Sequence, residues 1–543
     1  MTETPKSGVI LCRCHGAVAD KVPFDEISQF LHRIAPDIEV IVSDDLCQPH
    51  ALRRLVEREG IRPLVVGACP KLRPRQYAWD EAENGLLNPH FIKQFDLLEE
   101  TRMGFSSTEL TDRIKLLLWA QIKRAGDFKE VSQNNLRVHI PRAYGKTSRR
   151  EFAVMLLPHY EVIPFIEPSK CVGGNICHLC HDICSPQAIS IEEDVVTIDK
   201  GSCSGCGACL AVCPHSAISY PSFSLEEMNR ELEGLLSREG VLLEPRIIAL
   251  TCQNCLLRYD EAGKEPLRYP PNMLPLKLPS LAMASPWLIL RAFYMGAQGL
   301  AVIASDEKCP TGIDKGLWQD NVRFTQEILE CLDINGQRVG IFEVENNSQP
   351  DTERKLERFT REIESLEPTL LKEDGHISSC IEGLPLSALI KDMGNKLTHP
   401  LKGTISLGAI PFGQVELDDT KCTGCGLCAL NCPTGAISIL TNDDHSEYEL
   451  LFQHDSCCAC GMCINICPEK CLELENILYL DRIGSGASVL FQDSIVKCRR
   501  CGKNIAPKSM IDRLSDKLQE TGNSYADWLE LCPECKIETQ RCK

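Results

Sequence analysis

The stretch KCTGCGLCALNCPTGAISI sets Cys422, Cys425, Cys428 and Cys432 in a C-x2-C-x2-C-x3-C pattern with Pro433 directly after the last. The stretch CCACGMCINICP repeats it at Cys457, Cys460, Cys463 and Cys467 before Pro468. Three thiolates at two-residue gaps can wrap one iron–sulfur cube on a tight loop, while the fourth, on the turn of helix that follows, reaches a partner cube. Cys422, Cys425, Cys428 and Cys467 are therefore expected to hold one 4Fe-4S cluster, and Cys457, Cys460, Cys463 and Cys432 a second. Gly424, Gly426 and Gly461 let the backbone turn closely and aim its N–H groups at sulfide. Cys458 and Cys471 are surplus to this scheme and read as buried thiols.

A second cysteine-dense block lies earlier in the chain. Its latter half, CSGCGACLAVCP, is regular at Cys203, Cys206, Cys209 and Cys213; its former half, CVGGNICHLCHDIC, is not, because VGGNI separates Cys171 from Cys177. All four sulfurs of that half survive at Cys171, Cys177, Cys180 and Cys184. The expectation is a cube on Cys171, Cys177, Cys180 and Cys213 and its partner on Cys203, Cys206, Cys209 and Cys184, with VGGNI bulging outward. Pro186 stands one place later than in the other runs. The spacing in both blocks resembles that of bacterial-type 2[4Fe-4S] ferredoxins, and their likeness to each other reads as an internal duplication.

The tail carries two C-x2-C knuckles, Cys498 with Cys501 and Cys532 with Cys535, a pattern expected to bind a structural zinc ion.

The elements that must position these sulfurs follow from periodicity and breakers. GVILCRC and IRPLVVGAC read as short apolar strands with the helix PHALRRLVEREG between them, and PRIIALTC and GLAVIAS as strands flanking a helix from Trp287 to Tyr294. Alternating strands and helices favour parallel sheets. The expected architecture is multi-domain, α+β and α/β: two 2[4Fe-4S] ferredoxin domains inserted among small α/β domains, closed by a zinc-ribbon-like module. The expected boundaries are an α/β domain over 1–130, a linker over 131–165, ferredoxin domain 1 over 166–222, an α/β domain over 223–345, a charged helical spacer over 346–404, ferredoxin domain 2 over 405–482 and the C-terminal module over 483–543.

The chain has 543 residues, 32 of them cysteine, and a formal net charge of −18. Such a field repels a phosphate backbone, which argues against nucleic acid as a partner. No apolar run approaches the ~20 residues that span a bilayer, and the N-terminus has no secretory layout, so a cytoplasmic protein is expected. Tight C-x2-C runs in a long acidic chain point to metal rather than disulfides.

Two further resemblances narrow the reading. GVILCRCHG and DLCQPHALRRLVEREGIRPLVVGACPKLRPRQ resemble the N-terminal region of the heterodisulfide reductase A subunit, which implies a fifth cluster on Cys12, Cys14, Cys47 and Cys69. The flavin domain of that family has no counterpart motif, so neither FAD nor NAD is expected. CQNCLLRYDEAG, YPPNMLPLKLPS, PWLILRAFYMGAQGLAVIAS and KCPTGIDKG resemble the delta subunit of methyl-viologen-reducing hydrogenase, a resemblance that implies a 2Fe-2S cluster near Cys252 and Cys255, with Cys309 the third matching cysteine. Ser280 and Ser305 stand where that family has others. Together these features imply a polyferredoxin that conducts electrons within a heterodisulfide reductase, hydrogenase or formate dehydrogenase-type complex and carries no catalytic residue of its own. The alternative is an iron–sulfur reductase whose irregular cluster at Cys171 acts directly on substrate.

Overall fold

The structure is a computed structural model. It describes residues 6–44, 46, 48, 51–68, 92–125, 136–139, 159–221, 223–252, 267–305, 315–344, 349–369, 371, 385–406, 411–442, 446–520 and 526–541. Two compact units emerge: the first comprises Met1–Glu167, Cys180–Ser190 and Thr197–Leu384, the second Pro168–Leu179, Ile191–Val196 and Pro385–Lys543.

In the first unit, β1 (Lys6–Cys12), β2 (Glu39–Ser43), β3 (Ile61–Ala68) and β4 (Lys93–Asp96) form a parallel sheet in the order β2-β1-β3-β4. Val9, Ile10 and Leu11 make β1 a continuous apolar run, as a strand covered on both faces requires. Helix Phe24–Ile34 covers the sheet with Phe24, Ile27, Phe30 and Leu31. The expected strands occur as read, and so does the expected helix, at Ala51–Glu59, while the interval expected as a linker contributes a small antiparallel pair, β5 (Leu136–His139) with β6 (His159–Val162).

The first ferredoxin block opens on β7 (Phe165–Ile166), carries the hairpin β8 (Ile189–Glu192) and β9 (Val195–Ile198), and closes on β10 (Ile218–Ser219), which pairs with β7. A second parallel sheet follows, β12-β11-β13-β14, from β11 (Ile247–Cys252), β12 (Met273–Leu278), β13 (Gly299–Ser305) and β14 (Val339–Val344). Helix Gln349–Ser365, expected as part of a spacer, instead packs Leu356, Phe359 and Ile363 into the core of this sheet beside Ile247, Ala301 and Val344. The α/β module thus runs past the expected boundary at 345.

The two α/β modules of this unit are joined by helix Ser107–Ala125 against helix Leu225–Leu236, so closely that a methyl group on Gly234 would overlap the Ala120 backbone. Ion pairs sit in the joint: Arg124 with Glu231, Lys93 with Glu227 at 3.9 Å, and Arg113 with Glu100 at 2.6 Å.

In the second unit, β15 (Thr404–Ile405) pairs with β20 (Leu478–Tyr479), and β16 (Gln414–Leu417) with β19 (Leu472–Glu475). A four-stranded antiparallel sheet runs β17 (Ile437–Thr441), β18 (Glu447–Phe452), β21 (Ser488–Lys497), β22 (Asn504–Pro507). This sheet crosses the boundary expected at 482. The tail's strands extend the second ferredoxin domain, Phe491 stacks edge-on against Tyr448, and Phe491 and Pro507 lie against Gly424.

Candidate iron–sulfur and metal sites

Each regular cysteine run folds alike. In three of them the residue after the second cysteine is glycine in the left-handed region, Gly207 (φ 75°), Gly426 (φ 73°) and Gly461 (φ 73°), and a short helix starts there carrying the third cysteine. Backbone N–H groups converge on the sulfurs: Gly205 donates to Cys203 Sγ at 3.5 Å, Gly424 to Cys422 Sγ at 3.4 Å, Ala188 to Cys184 Sγ at 3.2 Å and Ala217 to Cys213 Sγ at 3.3 Å.

The sulfurs also gather. Burial, then the charges of Cys425, Cys422 and Cys467, pushes the Cys428 thiol up to about 12. Burial and the charges of Cys457, Cys460 and Cys432 do the same to Cys463, also to about 12. In the first unit, burial and the charges of Cys206, Cys203, Cys180 and Cys184 push Cys209 up. A thiolate here faces several others at short range, a repulsion that iron cations among them relieve. In the second ferredoxin domain the cysteines of both runs share one core, Cys428 and Cys463 buried in it and Cys422, Cys432, Cys457 and Cys467 packed against it, as crossed ligation of two cubes would require. The donor chemistry and the converging N–H groups fit 4Fe-4S cubes.

In the irregular run the loop takes another course than expected. VGGNI does not bulge outward: Gly174 N–H donates to Asp194 O at 3.0 Å, Asn175 N–H to Asp194 Oδ1 at 2.7 Å, and Cys177 N–H to Gly173 O at 3.0 Å. A methyl group on Gly173 would meet the Asp194 carboxylate, and one on Gly174 would overlap Ile191. The loop is fastened to the β8–β9 hairpin turn, and its two glycines permit the approach.

At the tail the sulfurs of Cys498, Cys501, Cys532 and Cys535 lie within 4.8 Å of one another, a spacing suited to one tetrahedral ion held by ~2.3 Å metal–sulfur bonds. Cys532 N–H donates to Cys498 Sγ at 3.3 Å and holds that thiol down at about 6.

In the N-terminal module, Cys12 and Cys14 are buried at the end of β1, where Cys14 N–H donates to Cys12 Sγ at 3.3 Å; Cys47 and Cys69 lie outside the described residues. In the second α/β module Cys252 ends β11 and its thiol donates to Pro279 O at 3.4 Å. Ser280 caps the turn Leu281–Met283 by accepting from Ala282 N–H at 3.2 Å. Cys255 and Cys309 lie outside the described residues. The turn Leu281–Met283 packs on the first ferredoxin block, with Ala282 against Cys206 and Ala208. Nothing in the cysteine spacing signals this contact, whereas the stripe Leu356, Phe359 and Ile363 could have placed helix Gln349–Ser365 in a core.

Residues 247–367 match the family described as methyl-viologen-reducing hydrogenase, delta subunit, and residues 196–219 and 415–438 each match the 4Fe-4S binding domain. The chain is 24% identical over 291 residues to the iron–sulfur A 2 subunit of CoB–CoM heterodisulfide reductase from Methanopyrus kandleri, covering 44% of this chain and 42% of that protein. It is 27% identical over 132 residues to the vhu iron–sulfur D subunit of F420-non-reducing hydrogenase from Methanocaldococcus jannaschii, covering 24% of this chain and 98% of that protein. It is 38% identical over 63 residues to ferredoxin 7Fe of Hydrogenibacillus schlegelii, covering 12% of this chain and 80% of that protein. Through its cysteine-dense blocks the chain belongs to the ferredoxin family. It is an iron–sulfur protein that fuses those blocks with segments related to heterodisulfide reductase and hydrogenase subunits, and it spans less than half the length of the heterodisulfide reductase relative. Among the described residues no helix is long and apolar enough to cross a membrane.

Proposed function

We propose that this chain is a polyferredoxin subunit conducting electrons within a cytoplasmic complex of the heterodisulfide reductase, hydrogenase or formate dehydrogenase type. The observation that supports this reading is that Cys422, Cys428 and Cys432 of one run and Cys457, Cys463 and Cys467 of the other share a single core, which suits cubes on Cys422, Cys425, Cys428 and Cys467 and on Cys457, Cys460, Cys463 and Cys432. Cubes on these quartets, and on the two quartets of the first block, supply one-electron carriers. The protein's part is to hold them, aim N–H groups at their sulfurs and limit their solvent. Contact between the hydrogenase-delta-like module and the Cys206 loop supports passage of electrons from that module into the first ferredoxin domain. One zinc ion on Cys498, Cys501, Cys532 and Cys535 staples the tail. A fifth cluster on Cys12, Cys14, Cys47 and Cys69, and a 2Fe-2S cluster near Cys252, Cys255 and Cys309, complete the proposal.

Anaerobic iron and sulfide analysis of the full chain tests it, with roughly 16 irons expected from four cubes and ~20–22 if the α/β modules are also loaded. About eight would mean that one block is empty. Anaerobic purification of the native assembly should co-elute the donor and acceptor subunits.

A further inference from the structure

Four positions in the ferredoxin blocks are structurally equivalent: Ala188, Ala217, Ala436 and Cys471, each four residues after the last cysteine of its run. The backbone marks the equivalence as firmly as the spacing. Each carbonyl accepts from the residue four places before the first cysteine of a run: Ala188 from Asp199 N–H at 2.7 Å, Ala217 from Glu167 at 2.7 Å, Ala436 from Gln453 at 2.8 Å and Cys471 from Asp418 at 2.8 Å. The three alanines are each 2% exposed and Cys471 is 5% exposed. Packing at this position is therefore satisfied by a methyl group, and the sulfur of Cys471 is an addition that packing does not require.

That sulfur lies among cluster ligands. Cys471 Sγ is 3.6 Å from Cys467 Sγ, and Cys422 packs against the same core as Cys471. Cys467 and Cys422 come from opposite runs but belong to the same quartet. Once both hold iron as thiolates they have no proton to give, so of the three sulfurs only Cys471 can donate. The other surplus cysteine is a different case: Cys458 stands where Ser204 and Thr423 stand in the sister runs, side chains that all carry a proton to donate. A donor at that position is common to these runs. A donor at 471 is peculiar to one cube.

We propose that the Cys471 thiol is a positioning residue for the cube on Cys422, Cys425, Cys428 and Cys467, donating to its ligand sulfurs and raising its reduction potential. The inference rests on the ligand assignment proposed above. Reduction adds negative charge to a cube and its thiolates, and a hydrogen bond to a ligand sulfur stabilises that charge more in the reduced state than in the oxidised one. Removing the donor must therefore lower the potential of that cube.

The test uses the full chain, loaded and handled anaerobically, as wild type, Cys471→Ala and Cys471→Ser. Alanine is what the fold already accepts at the three equivalent positions, so loss of folding is not expected. Iron content should be unchanged in Cys471→Ala, and low-temperature electron paramagnetic resonance during a potential titration should show one cube moved to lower potential with the other three unmoved. Cys471→Ser, which keeps a donor, should restore part of the shift. If no cube moves, the thiol is filler and the proposal fails. If Cys471→Ala loses about four irons, Cys471 is a ligand rather than a donor, and the quartet itself is wrong. A wild-type second ferredoxin domain that takes up no iron would overturn the underlying cluster reading, a result that iron analysis gives before any variant is made.

Discussion

Met283, at the end of the turn that leaves β12, lies directly against Gly207 in the loop after Cys206, so that a methyl group on Gly207 would overlap its sulfur. Gly207 also sits at φ 75°, where a Cβ is itself unfavourable. Gly207→Ala should therefore destabilise the first ferredoxin domain by roughly 2–4 kcal/mol, the sum of overpacking and left-handed strain. Combining it with Met283→Ala should cost less than the two single changes added, because the clash is removed and the strain remains. Denaturant midpoints of the three variants would show the coupling.

The joint between the two α/β modules turns on Arg113, which is fully buried and donates to Glu100 Oε2 at 2.6 Å and to the carbonyls of Pro271 at 2.8 Å and Met273 at 2.6 Å. Arg113→Met leaves the Glu100 carboxylate buried without its partner and should cost about 3–5 kcal/mol. The double variant with Glu100→Gln should recover part of that loss. Equal losses in the single and double variants would mean that the carbonyl contacts, rather than the ion pair, matter.

Burial, aided by the charge of Arg124 and opposed by Glu227 and Glu231, lowers Lys93 from 10.5 to about 7. Between those values the unfolded chain holds a proton that the folded chain has released. Stability should therefore rise with pH across that window, by up to about 1.4 kcal/mol per pH unit, and the gain should be lost as pH falls back to 7. Unfolding midpoints of wild type and Lys93→Met between pH 7 and 10 check this; the difference between the two proteins should shrink as pH rises.

The loop between Cys171 and Cys177 is fastened by Asp194, and Gly174 has no room for a side chain against Ile191. Gly174→Val should lower the midpoint of thermal unfolding without removing a ligand, keeping roughly 16 irons, whereas Cys177→Ser should leave about 12. Iron analysis of both separates a loop effect from a ligand effect.

Cys501 is the exposed member of the tail quartet. Cys501→Ser should remove about one zinc per chain and leave iron unchanged, since zinc has no redox role to share with the cubes. The measurement needs the full chain: β21 pairs with β18, so a fragment starting near residue 490 would lack the strand on which it folds. Iron at this site in place of zinc would make the tail part of the electron path.

The sequence alone determined what is local. Cysteine spacing is read over a dozen residues, because a cube is wrapped by one turn of chain and the following helix, so the regular runs and the tail knuckles were visible without a structure. Apolar runs such as Val9–Leu11 and Ile247–Leu250 likewise announced buried parallel strands. What only the tertiary structure decided depends on partners far apart in the chain. Helix Gln349–Ser365 has the charge of a solvated spacer, yet the stripe Leu356, Phe359 and Ile363 found a sheet to cover. β21 reads as a new module until its register against β18, Glu447 opposite Ser494, makes it part of the second ferredoxin domain. Cys471 looks like any spare thiol until the β16–β19 ladder, with Leu417 opposite Leu472, and the bond from Asp418 N–H to its carbonyl set it in the same core as Cys422, a cysteine of the other run. Local spacing specifies which atoms can bind iron; strand register decides which other sulfur stands next to them.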